Sequence, residues 1–284
     1  MSGQLTRCAV MRDPLAQAVT ECTALLKAEN LDAWLSLLLA PAAARPALLA
    51  AWALLAETAR LPWRLREPLL CQMRMEFWRC ALLGEETPAL PGDMSMPALL
   101  ALWPPALPRD DMGETLRHVR LLADGAFDNA EAVREWSEAA FTPLWRTLLK
   151  AVCISRDGTQ LINPPNVRAP GMDAALRALA RAYGSGFVLR RAAWPRLSTA
   201  APLLSDEARA QTGMLAQGAL SDFEQARRHA WPRRLLPALW PASLMHHWLK
   251  KAARRSDFPH KPAPVPSQLV RQWFLLTRRL TGRL

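Results

Sequence analysis

The sequence predicts an all-α protein built as a single helical bundle, and three observations carry that prediction. Ala, Leu and Arg dominate while β-branched residues are sparse, which favours helix because straight-chain side chains lose little rotamer freedom there. No strand-like alternation of Val, Ile or Thr occurs. The prolines gather in clusters such as Pro104-Pro105, Pro164-Pro165 and Pro262 to Pro266, so they are expected to punctuate helices rather than interrupt them.

Apolar residues recur at helical spacing through ten segments. The first, 14–28, opens at Asp13-Pro14, an N-cap followed by a proline at the first helical position. The spacing continues through 31–40, 46–60, 66–83, 113–124, 129–153, 173–193, 205–230, 237–255 and 267–281. Between them, Thr87 to Pro97 and Ser155 to Pro170 collect Pro, Gly, Asn and Asp and read as ordered loops. A chain of 284 residues can bury one large core, so residues 1–284 are expected to form one domain. Leu48, Leu49, Trp52, Leu69, Leu70, Met73 and Phe77 are predicted to line its core. Trp34, Trp52, Trp78, Trp136 and Trp145 fall on apolar stripes and are expected to pack.

Several function classes are excluded at this level. The five cysteines, Cys8, Cys22, Cys71, Cys80 and Cys153, are odd in number and form no CxxC pair, which suggests neither a disulfide framework nor a zinc site. His118, His229, His246, His247 and His260 have no carboxylate or cysteine at ligand spacing and read as surface residues. No apolar signal region is evident at the N-terminus. The most apolar stretch, Leu31 to Ala56, is broken by Pro41, Arg45 and Pro46, so no membrane span is expected. The net charge of +11 is lopsided: residues 227–284 hold thirteen Lys and Arg against one acid, Asp257. This basic helical region lacks a reading helix or an aromatic platform, so no nucleic-acid partner is expected.

The run from Ala40 to Leu54, followed by Glu57 and by Arg66 to Arg79 with its Arg74-Met75-Glu76-Phe77-Trp78 core, resembles the opening of a squalene/phytoene synthase domain. Asp124 to Asp128, Tyr183-Gly184-Ser185-Gly186 and the C-terminal helices fall in that family's order. The similarity is greatest to a divergent branch that includes a mitochondrial assembly factor for respiratory complex I and its bacterial relatives. It implies the fold of trans-isoprenyl diphosphate synthases, a bundle around a central cavity.

The same resemblance implies a departure in chemistry. Active members join two prenyl diphosphates head to head, and magnesium bridges the leaving diphosphate to two Asp-x-x-x-Asp motifs, whose i, i+4 spacing puts both carboxylates on one helix face. Here the first motif falls at Ala59 and Trp63, which cannot ligate a metal. The second should follow Gly186, yet no acid lies between Asp173 and Asp206, where Arg177, Arg181, Arg190, Arg191 and Arg196 stand instead. Asp124 and Asp128 form an Asp-x-x-x-Asp that aligns with a different acidic pair, either half of a site or a solvated capping pair. Glu57, a lone acid on an apolar helix, calls for a buried partner such as Arg74.

Two readings stay open. The first is a non-catalytic protein, needing no cofactor, that binds a prenyl diphosphate or other anionic lipid through Arg74, Arg190 and Arg191, or that assists a respiratory-complex client. The second is a magnesium-dependent prenyltransferase with displaced ligands. A third expectation concerns location. In 267–281 Leu269, Trp273, Leu276 and Leu280 form one apolar stripe with Arg271, Arg278, Arg279 and Arg283 largely off it. Leu239, Trp240, Leu244, Trp248 and Leu249 repeat the pattern beside Lys250, Lys251, Arg254 and Arg255, and Trp231 lies nearby. Both segments either close the bundle or seat it on an anionic membrane, at the inner face on the cytoplasmic side, or in the matrix if the source is a mitochondrion.

Overall fold

The computed structural model describes residues 13–65, 67–85, 95–123, 127, 129–192, 206–254 and 265–284. Eleven α-helices run through them: α1 Pro14–Glu29, α2 Leu31–Leu38, α3 Arg45–Arg64, α4 Pro68–Leu83, α5 Ser95–Leu102, α6 Asp110–Val119, α7 Ala130–Ala151, α8 Pro170–Ala192, α9 Asp206–Arg227, α10 Leu236–Ala252 and α11 Gln268–Thr281. Extended pairing among the described residues is confined to one isolated bridge, Ile154 to Gln160. The all-helical expectation therefore holds. The segment not foreseen is α5, eight apolar-rich residues or about two turns, whose first three residues fall within the stretch Thr87 to Pro97 read as a loop.

Local chemistry sets the helix starts. Asp13, Asn30 and Asn129 accept from the backbone N–H two or three residues on, at 3.0, 3.1 and 2.9 Å, satisfying donors that the first turn leaves free. Pro46, Pro68 and Pro237 occupy opening positions of α3, α4 and α10. Three prolines depart from the expected punctuation: Pro62, Pro143 and Pro241 lie inside helices, each removing one intrahelical hydrogen bond.

The core of the bundle lies between α3, α7, α8 and α10. Trp52 meets Trp145 edge-on at 5.8 Å, and Tyr183 closes the group at 5.9 Å from Trp52 and 5.2 Å from Trp145. Phe141 and Phe187 extend the cluster. Close approach depends on Gly184 and Gly186. A Cβ at Gly184 would lie 2.4 Å from the Cβ of Ser137 on α7, and one at Gly186 would lie 2.6 Å from Met245 on α10. Small residues here let helices touch.

The expected core is right on α3, where Leu48, Leu49 and Trp52 are buried, and wrong on α4. Leu69, Leu70 and Met73 are exposed and Phe77 is half-buried, whereas Cys71, Met75, Trp78 and Leu82 face inward at steps of 4, 3 and 4. Helix α4 is apolar on most of its circumference, so composition alone does not choose its face. The tryptophans expected to pack, Trp52, Trp78, Trp136 and Trp145, are buried, and Trp34 packs partly buried against the core. Burial also pushes the Cys22 and Cys153 thiols up to about 12 and about 11, keeping them protonated and inert.

Arg177 and Arg181, two of the arginines that stand in the acid-free stretch after Asp173, are matched by acids from both neighbouring helices. Glu138 of α7 accepts from both, at 3.0 and 2.6 Å, and buried Asp222 of α9 accepts from Arg181 at 3.0 Å and from Arg134 at 3.0 Å. Asp173 takes Arg146 and Arg177 together. Its burial raises the pKa, but the two guanidinium hydrogen bonds outweigh that and hold the carboxyl below its usual range. These pairs tie α7, α8 and α9 side by side.

One histidine also departs from the surface expectation. His246 is buried, stacked on Phe223 with ring centroids 4.0 Å apart. Burial, reinforced by Lys250 and Arg227, lowers its pKa from 6.5 to about 3; Glu224 lies 3.4 Å from Nε2 but is shared with Arg227 and Lys250 and does not reverse the shift. The unfolded chain binds this proton first as pH falls, so stability drops from about pH 6.5 toward pH 3. His246→Phe, which keeps the stack, should lose about 2 kcal/mol less than the natural chain between pH 7 and pH 5 in urea melts. Equal losses would show that His246 is protonated within the fold.

Candidate functional site

The residues singled out from the sequence are only partly gathered. Ala59 is buried on α3 and lines a cavity of about 50 Å³ with Asn30, Leu55, Tyr183, Arg190 and Met245. The central space implied by the family resemblance is thus occupied at this level by the aromatic cluster of α3, α7 and α8. Trp63 closes the same helix, its side chain outside the described residues. Asp124, Asp128 and the side chain of Arg191 also lie outside them. Glu57 is buried as expected, and Arg60, one turn along α3, is in an ion pair with it. An i, i+3 arginine reaches back without any tertiary contact, and Arg74 stands half-buried on α4, which packs on α3 and α6. Arg74 does not line the cavity that holds Arg190.

Arg190 itself belongs to a buried ion cluster that the sequence reading did not foresee. Asp32 of α2 is 3% exposed. Its Oδ2 accepts from Arg190 Nη1 at 2.8 Å, and its Oδ1 lies 3.0 Å from Arg271 Nη1 of α11. Arg190 also lies over the Trp248 ring, 5.4 Å from its centroid, and Arg271 Nε donates to the Pro266 carbonyl at 2.9 Å. Burial lowers the Arg271 pKa while Asp32 raises it, and a guanidinium so placed stays charged at neutral pH. The group expected to greet an anion at the cavity mouth is therefore already bound to one.

This cluster decides how α11 sits. Arg271 and Leu275 are its buried residues, and the stripe faces the other way: Leu269, Trp273 and Leu280 are 77, 73 and 75% exposed, with Leu276 and Val270 also exposed. At 100° per residue the four stripe positions fall within roughly 60° of one another, opposite Arg271. Arg279 and Arg283 are exposed beside them. The second expected stripe has the opposite fate. Leu239, Trp240, Leu244, Trp248 and Leu249 are all buried in α10, so that helix closes the bundle and, of the two, α11 alone presents its stripe to solvent.

No helix among the described residues is long and apolar enough to cross a membrane. No protein-family model matches the chain, and a search of curated proteins finds no match.

The cluster makes a stability prediction. Asp32→Asn leaves two guanidinium groups facing each other without a counter-charge, and breaking such a buried group costs about 3 kcal/mol or more. Urea denaturation should show that loss. A loss below about 1 kcal/mol, the range of an exposed pair, would mean that the cluster is solvated.

Proposed function

We propose that this chain is a non-catalytic protein of the squalene/phytoene synthase type that works at an anionic membrane surface, handling a prenyl or other anionic lipid there. The observation that carries the reading is the outward apolar stripe of α11 with Arg279 and Arg283 beside it. A leucine moved fully out of water gains about 1.5–3 kcal/mol, and each basic residue near an anionic leaflet adds on the order of 1 kcal/mol. Leu269, Trp273, Leu276 and Leu280 entering the interface together with two arginines suffice for reversible attachment.

The non-catalytic part rests on the first motif position and its surroundings. Ala59 and Trp63 offer no oxygen to a magnesium ion, and the cavity reaching Ala59, about 50 Å³, is well short of the roughly 300 Å³ that small-molecule sites begin at. A client inserted in the same membrane, such as a respiratory-complex subunit, would be met on this surface. The protein would then act at the inner face of a cell membrane, or in the matrix if mitochondrial.

Flotation tests the reading. The chain should rise with anionic and not neutral liposomes, less so as salt climbs through a few hundred millimolar because the Debye length shrinks to roughly 5 Å or less. Leu276→Glu with Leu280→Glu should abolish flotation without changing the urea midpoint, since both side chains are exposed. Equal binding to neutral liposomes would contradict the electrostatic part, and magnesium-dependent diphosphate release from farnesyl diphosphate would contradict the non-catalytic part.

A further inference from the structure

The C-terminal end of α11 borders a groove of about 480 Å³. Four arginines line it, Arg45 at the start of α3, Arg233 and Arg234 in the turn before α10, and Arg279 on α11. Among the described residues no carboxylate lines it, and none of the four is in an ion pair. The arginines of α7 and α8 are treated differently: Arg134, Arg146, Arg177, Arg181 and Arg190 each hold an acid. Between the four groove arginines lies an apolar floor that includes Leu38, Leu161, Pro237 and Trp240.

Two backbone features keep the cations in place. Arg45 Nε donates to the Ala40 carbonyl at 3.1 Å, which holds its guanidinium against the groove wall. Gly282 has φ +63°, and a Cβ there would come within 2.2 Å of Arg233 Nε, so the glycine that ends α11 also makes room for Arg233. Several like charges converging on one groove repel one another, and an anion placed among them relieves that repulsion while matching the fork geometry of the guanidinium.

We propose that this groove binds the phosphate head group of an anionic membrane lipid, one of whose chains lies along the apolar floor. The inference rests on the membrane reading above and gives that reading its site. Arg279 belongs to both features, since it lines the groove and adjoins Leu280 of the exposed stripe. When the stripe enters the interface, the groove mouth is carried to the depth of the lipid phosphates. The ligand site thus lies beside the membrane face, away from the Ala59 cavity.

The test separates the site from the attachment. Titration calorimetry of the full chain is done with a short-chain phosphatidate kept below its micelle concentration, and in parallel with inorganic phosphate. The lipid should bind saturably at one site, and phosphate much more weakly. Arg234→Gln with Arg279→Gln should weaken lipid binding about tenfold or more, as expected when a charged hydrogen-bond donor is removed. Both side chains are exposed and make no hydrogen bond among the described residues, so the urea midpoint should stay unchanged. Leu276→Glu with Leu280→Glu should leave this binding intact while abolishing flotation. Unchanged affinity in the arginine variant would overturn the site, and phosphate binding as tight as the lipid would overturn the lipid assignment. Loss of flotation in the natural chain with lipid binding retained would sink the membrane reading and leave the groove.

Discussion

Asp32 sits on a short, otherwise apolar helix, almost without access to water, and each of its carboxylate oxygens faces a different arginine. A buried charge is tolerated only when matched, and here the match spans three helices far apart in sequence. Arg190 ties α2 to α8, and Arg271 ties α2 to α11. Because two cations share one acid, losing Asp32 would strand both arginines. The last helix is consequently docked by its charged side, and its apolar stripe is left over.

That inversion connects folding to function. A helix with a pronounced apolar face normally turns it to the core. In α11 one buried arginine and one leucine, Leu275, hold the helix while Leu269, Trp273, Leu276 and Leu280 remain outside. Such an exposed apolar row is the feature on which the proposed membrane attachment rests. Its neighbours fit that role: Arg279 and Arg283 lie beside it, and the arginine-lined groove opens at its end. The opposite logic governs the interior, where Trp52, Trp145, Tyr183 and Phe141 fill the region between α3, α7 and α8. Among the described residues the larger grooves lie at the periphery of this bundle, and the cavity beside its aromatic centre is about 50 Å³.

The helical architecture was legible because apolar spacing and caps agree, as at Asp13-Pro14 and at Gly184 and Gly186, whose smallness does serve close packing. Face choice was less legible. On α4 nearly every turn carries apolar residues, so Leu69 and Met73 looked as suited to the core as Met75 and Trp78. Glu57, a lone acid on an apolar helix, signals its own burial, and a neighbour one turn away, Arg60, pairs with it. Asp32 carried the same signal as Glu57, a lone acid in the apolar run Leu31 to Leu38, and Arg271 stood opposite the α11 stripe; together they were the readable clue to the cluster. The groove was not readable, because Arg45, Arg233, Arg234 and Arg279 come together only through packing of α2, α3, α10 and α11.

Asp32 holds α11 with its stripe outward, and hydrogen exchange resolved to single helices tests this directly. In the natural chain the amides of α11 beyond its first turn should be protected. In Asp32→Asn they should open markedly faster, while those at the centre of α7, whose aromatic packing does not involve Asp32, keep the slow exchange of the bundle core. Protection of α11 that is the same in both chains would contradict the account, because the helix would then be held by something other than the buried charge.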